Sequence, residues 1–257
     1  MINNLIARQF MIFLSILFFI TSILYSSVGF GGGSTYLALL LLWNIPYTIF
    51  PIIALVCNIA VVSGNSINYI RHGHFNIKLL APYLLGSIPF AYLGGSLVIE
   101  KHIFEIILFI VLLIAGILLL LNFKFYGDET KPFKNIPLYI STTIGSILGL
   151  VSGIVGIGGG IFLSPILFLL QAGKPRDIAT SASLFILINS ISGVIGQFQK
   201  NHVAAEILDY WFLIVCVIIG GQIGNYLNLK ILPSKILAAL TAILVLFVAL
   251  RMGIRIF

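Results

Sequence analysis

The chain has 257 residues, of which 60% are hydrophobic and only 8% charged, with a formal net charge of +7. Soluble domains carry about 25% charged residues, so the composition excludes a water-soluble fold and points to a multi-pass protein of the cell's inner (plasma) membrane. The basic residues are scattered through short loops rather than gathered in a stripe, which argues against nucleic acid and fits positive-inside sorting of the loops.

In chain order, apolar segments fall at residues 10–28, 34–43, 47–70, 78–99 and 103–121. A hydrophilic stretch, 122–135, follows, and segments 136–155, 161–171, 178–198, 206–228 and 235–252 complete the chain. Most approach the roughly 20 residues that a membrane-spanning helix needs. Segments 34–43 and 161–171 are too short, and each directly follows a triple glycine. Pro46 and Pro175 lie just beyond them and stop the helix in both places. The first segment, preceded by Arg8, superficially resembles a signal peptide, but its end belongs to a repeated motif and it reads as a retained span.

That motif is Val28-Gly29-Phe30-Gly31-Gly32-Gly33, which recurs as Val155-Gly156-Ile157-Gly158-Gly159-Gly160 at a spacing of 127 residues. The match continues at an offset of 129, where Pro46, Ser63, Gly64 and Arg71 align with Pro175, Ser192, Gly193 and Lys200. The reading is therefore an all-α, polytopic transmembrane bundle of two repeated halves with broken or re-entrant helices. The first repeat covers 1–121, a cytoplasmic connector 122–135, and the second repeat 136–257. If the short segments are re-entrant there are eight spans, and if they cross there are ten. Either way the basic residues divide nine to five, with the connector on the more basic, cytoplasmic side. Ten or eleven residues do not comfortably cross about 30 Å of hydrocarbon, which favours eight spans with cytoplasmic termini.

A glycine run inside a bilayer frees backbone groups that lipid cannot satisfy, so it belongs where the backbone lines a protein cavity or a binding site. Gly31, Gly32 and Gly33, and Gly158, Gly159 and Gly160, each precede a half-helix whose N-terminus offers free N–H groups and a positive dipole end. Such a site suits an oxyanion. Ser34 and Thr35 can add hydroxyl donors in the first half, and Ser164 in the second. The competing reading is close helix packing through small residues, which isolated glycines such as Gly116 and Gly145 are expected to serve.

Polar residues cluster on the helices after each break: Asn58, Ser63, Asn65, Ser66 and Asn68, then Thr180, Ser181, Ser183, Asn189, Ser190, Ser192 and Gln197. Interhelical hydrogen bonding explains any one of them. Their clustering moves Asn58, Ser181, Ser183 and Asn189 towards the site. Segments 10–70, 136–171 and 178–199 contain no Asp, Glu, Lys or Arg, so a proton relay lacks a carrier. Cys57 and Cys216 read as structural thiols, and no residue pattern calls for a metal or another cofactor.

The stretches VGFGGGSTYLALL and VGIGGGIFLSPIL, each after the long first span of its half, resemble the signature of the TauE/SafE sulfite-exporter permeases. The resemblance covers nearly the whole chain. It implies a bacterial- or plant-type membrane protein that exports or takes up sulfite, sulfoacetate or related organosulfur anions. It also implies polar site positions at Asn58 and Thr180–Ser183. The second copy carries Ile161-Phe162 where the first has Ser34-Thr35, so the two half-sites are not chemically equivalent. A permease for a small anion, not an enzyme, is the preferred reading. A non-transporting membrane scaffold or an intramembrane enzyme is the alternative.

Overall fold

A computed structural model describes residues 2–27, 29–42, 45–121, 136–200 and 210–230, with scattered positions between 243 and 254. The described residues form helices and connecting turns. The order is α1 (Ile2–Ser26), α2 (Gly33–Leu42), a 3-10 turn (Tyr47–Ile49), α3 (Phe50–Arg71), α4 (Ile77–Ser96) and α5 (Lys101–Leu121). After the undescribed connector come α6 (Leu138–Val155), α7 (Gly160–Leu169), α8 (Pro175–Gln197) and α9 (Trp211–Lys230). Five of the described helical stretches are long and apolar enough to cross a membrane. Large apolar side chains such as Leu85, Val98, Tyr139 and Phe247 stay exposed, as a lipid-facing surface requires. The chain is a multi-pass membrane protein.

Helix directions follow from which residues meet. Tyr83, Ser87 and Ala91 of α4 lie against Gly145, Gly149 and Gly153 of α6, so these two helices run parallel. A Cβ on any of those glycines would strike an α4 carbonyl, which is why the seam needs glycine at every fourth residue. The expectation that Gly145 serves close packing is met. Ser192 donates to the Ile88 carbonyl at 2.7 Å and Gly196 packs on Tyr92, so α8 also runs parallel to α4. Gly220 and Gly224 of α9 pack against Phe19 and Ile23, making α9 and α1 parallel. Val61 and Gly64 of α3 meet Gly221 and Gln222, so α3 shares their direction. Leu55 with Gly193, and Ser66 with Ser183, set α3 antiparallel to α8. Two parallel sets result: α1, α3 and α9 one way, α4, α6 and α8 the other.

This arrangement corrects the eight-span expectation. Because α1 and α3 run the same way, the chain between them turns back through the bundle, and α2 makes that return. The second half does the same through α7: its end brings Gly173 against Leu79 and Arg176 Nη1 to 3.4 Å from His74 Nε2. The α7–α8 and α3–α4 turns therefore share one end of the bundle, and α1 begins at the other. The physical reason is that a 10-residue helix need not span 30 Å alone when its glycine break is satisfied by protein inside the bundle. Phe75→Cys and Arg176→Cys, each in a Cys57→Ala/Cys216→Ala background, should be labelled by an impermeant maleimide from the same side of the membrane. Labelling from opposite sides would restore the eight-span arrangement.

Candidate functional site

The two glycine breaks meet, and Asn58 joins them. This side chain sits two turns into α3 and is fully buried. Its Oδ1 accepts a hydrogen bond from the Gly33 N–H at 2.9 Å, capping α2 from another helix. Its Nδ2 donates to the Ile157 carbonyl at 3.0 Å and lies 3.5 Å from that of Gly156. One amide thus serves one backbone donor in the first break and backbone acceptors in the second.

Glycine is demanded at these positions by space as well as by conformation. A Cβ on Gly31 would overlap the Asn58 amide, and one on Gly33 would lie 2.6 Å from Asn58 Nδ2 and 3.1 Å from the Gly156 oxygen. Gly158 packs against Asn58, Ser190 and Ile186. Gly32 has φ of 90° and Gly159 of 77°, matching places in the two breaks where an L side chain is strained. Their open sides face Tyr36 and Phe185 respectively, and Gly160 packs on Ala182 and Ile186.

Both half-helices begin inside the bundle with donors to spare. The Thr35 and Tyr36 N–H groups bond to the Gly32 carbonyl, and those of Phe162 and Leu163 to the Gly159 carbonyl. The N–H groups of Ser34, and of Gly160 and Ile161, have no protein partner among the described residues. Nearby hydroxyls are also unpaired: buried Ser190 beside Gly158, and Ser152 beside Gly159. Two N-termini, loose N–H groups and hydroxyl donors in a buried space without any Asp or Glu form an environment complementary to a small anion.

The other predicted residues are distributed differently. Ser34 and Thr35 are buried, but both hydroxyls meet the Tyr25 hydroxyl, at 2.9 and 2.8 Å. Tyr25 therefore orients the start of α2, and its place three residues before the first motif was the available clue. Ser183 meets Ser66 at 3.4 Å in the α3–α8 crossing. Asn189 donates to its own helix at Phe185, 2.9 Å away, leaving a buried Oδ1 unpaired. Ser164 and Ser181 are buried on α7 and α8, and neither hydroxyl bonds to the breaks among the described residues. The residues brought together are Gly31, Gly33, Asn58 and Gly158.

The first break is anchored further by Ser26. Its hydroxyl lies 2.8 Å from Asn65 Oδ1 and 2.6 Å from the Gly221 carbonyl, tying the end of α1 to α3 and α9. At the far end of α8, Lys200 donates to Gln197 Oε1 at 3.1 Å, while Gln197 Nε2 donates to the Gly153 carbonyl at 3.0 Å. Burial pushes the Lys200 ammonium down to about 8, because the charged form is the one that loses solvation.

Comparison with known proteins finds relatives along nearly the whole chain. A probable membrane transporter protein of Sinorhizobium fredii is 27% identical over 242 residues, covering 93% of this chain and 96% of its own. A probable membrane transporter protein of Methanocaldococcus jannaschii is 30% identical over 244 residues, covering 88% of this chain and 89% of its own. A third, from Haemophilus influenzae, matches 29% over 91 residues, about a third of either chain. No solved structure matches. The family model described as sulfite exporter TauE/SafE matches residues 14–252. That span takes in both glycine breaks, the second half of α1 and all of α2 to α9, and the chain belongs to the sulfite exporter TauE/SafE family.

Proposed function

We propose that the protein is a secondary transporter that moves a small sulfur-containing oxyanion, sulfite or an organosulfonate, across the cell membrane. The observation that carries the reading is the meeting of the two glycine breaks around Asn58 in the buried interior. Backbone N–H groups and hydroxyls there recognise negative charge without a fixed cation, so an anion is bound yet able to leave. Equivalent helices of the two halves run in opposite directions, α1 against α6, α3 against α8 and α4 against α9, which supports two inverted halves, an arrangement that lets one site open alternately to either face. Described basic positions favour one end: Arg71, Lys78, Lys174, Arg176 and Lys230, against Arg8, Lys101 and Lys200 at the other. The positive-inside rule makes the first end cytoplasmic. The family and the names of its relatives support transport rather than catalysis.

Reconstitution tests it. Liposomes containing the protein and loaded with sulfite should release it faster than empty liposomes, with competition from methanesulfonate and none from potassium or an uncharged sulfone. Equal release with and without protein, across sulfite and a panel of organosulfonates, would overturn the assignment.

A further inference from the structure

Three helices begin around one cavity of about 400 Å3 at the more basic end of the bundle: α4 at Ile77, α6 at Leu138 and α8 at Pro175. Their positive dipole ends converge there. Lys78 and Lys174 line the cavity, and Asp177 is the one carboxylate among the lining residues. Two ammonium groups against one carboxylate leave a single positive charge, which a monoanion balances and a dianion exceeds. Tyr83 and Ser141 form the inner wall. Tyr83 is 1% exposed, with its hydroxyl beside Ser141.

The remaining wall is apolar, built by Leu79, Pro82 and Ile136. The volume falls in the range of small-molecule sites, about 300–1,000 Å3, and leaves room beyond a bare oxyanion. We propose that this cavity binds a small organic monoanion, a carboxylate or sulfonate with a short apolar tail. The charged head lies between Lys78 and Lys174 at the three helix starts, and the tail lies on the apolar wall. The site is separate from the glycine breaks: Ser141 precedes Gly156 by ~22 Å of helix. Its failure therefore does not bear on the transport reading, nor the reverse.

A reporter inside the cavity tests this locally. In the full-length protein with Cys57→Ala and Cys216→Ala, Ala172→Cys serves as reporter, with Ile136→Cys as a second in case the first misfolds. Maleimide labelling should be slowed saturably by 1-propanesulfonate and by butyrate, less effectively by sulfate, and not by 1-propanol. Adding Lys78→Gln or Lys174→Gln should raise the half-protecting concentration about 10-fold or more, the effect of losing a charge-assisted hydrogen bond. Absence of protection at either reporter would overturn the site. Unchanged protection in the double lysine variant would overturn it equally. Sulfate protecting as well as 1-propanesulfonate would overturn the organic-monoanion class. Sulfite flux measured in liposomes is a separate readout and stands whichever result is obtained.

Discussion

Gly32→Val and Gly159→Val should each abolish anion flux in proteoliposomes and lower the thermal stability of the purified protein. At Gly32, φ is 90° and a Cβ would come within 2.9 Å of the Tyr36 ring. At Gly159, φ is 77° and a Cβ would come within 2.9 Å of the Phe185 ring. The left-handed conformation costs an L residue about 1–2 kcal/mol, and overpacking against a buried ring adds about 1–3 kcal/mol. The break relieves both by rotating out of the left-handed region, which re-aims the N–H groups that start α2 or α7. Gly73→Val separates these effects. Gly73 also has a positive φ, 77°, but a Cβ there has open space, and the residue lies in the turn after α3. It should show the conformational cost alone and transport normally. Membrane insertion should survive in all three, since one added valine does not reduce the apolar character of the spans. Wild-type flux in folded Gly32→Val and Gly159→Val would remove the breaks from the mechanism.

Much of this architecture is legible in the sequence because a bilayer leaves few options. Long apolar windows must be helices, and glycine triplets that end one helix and begin a short one must lie where protein can satisfy the backbone. Both conditions can be read locally, so α1 to α9 and the two breaks appear at the expected places. The direction in which α2 and α7 travel is not local. The nine-to-five division of basic residues is the same for eight and ten spans, so charge carries no information about it. It becomes visible only when Gly173 meets Leu79 and Arg176 meets His74 across the bundle. The roles within the site are hidden for the same reason. Ser34 and Thr35 look like free donors until Tyr25 is found against both. Ser190 is one hydroxyl among several on α8 until it faces Gly158. Asn58 stands out in sequence only as a polar residue in an apolar helix, because its second partner lies 99 residues away.

Asn58→Ala should be the most damaging single side-chain truncation in the protein, and its effect separates structural glue from a functional hinge. Polar contacts between membrane helices average about 0.6 kcal/mol, because polar side chains find other partners when one is lost. The Gly33 N–H and the Ile157 carbonyl have no such freedom, since they belong to backbone held in a break. Each buried group left unpaired costs about 1–3 kcal/mol, so a total loss of roughly 2–6 kcal/mol is expected. Ser66→Ala, which removes only a 3.4 Å contact to Ser183, should lose no more than the membrane average of about 0.6 kcal/mol. Asn58→Asp isolates the two halves of the amide. The carboxyl still accepts from Gly33, but when ionised it has nothing to donate to Ile157 and places a negative charge between the anion-facing helix starts. Asn58→Asp should therefore be more damaging to flux than to folding, whereas Asn58→Ala damages both. Flux normalised to folded protein decides the question: a fall of about 10-fold or more in Asn58→Asp, equivalent to 1.4 kcal/mol of lost coupling, makes the side chain a determinant of transport. Unchanged normalised flux in both variants would reduce Asn58 to packing, with the two breaks joined for stability alone.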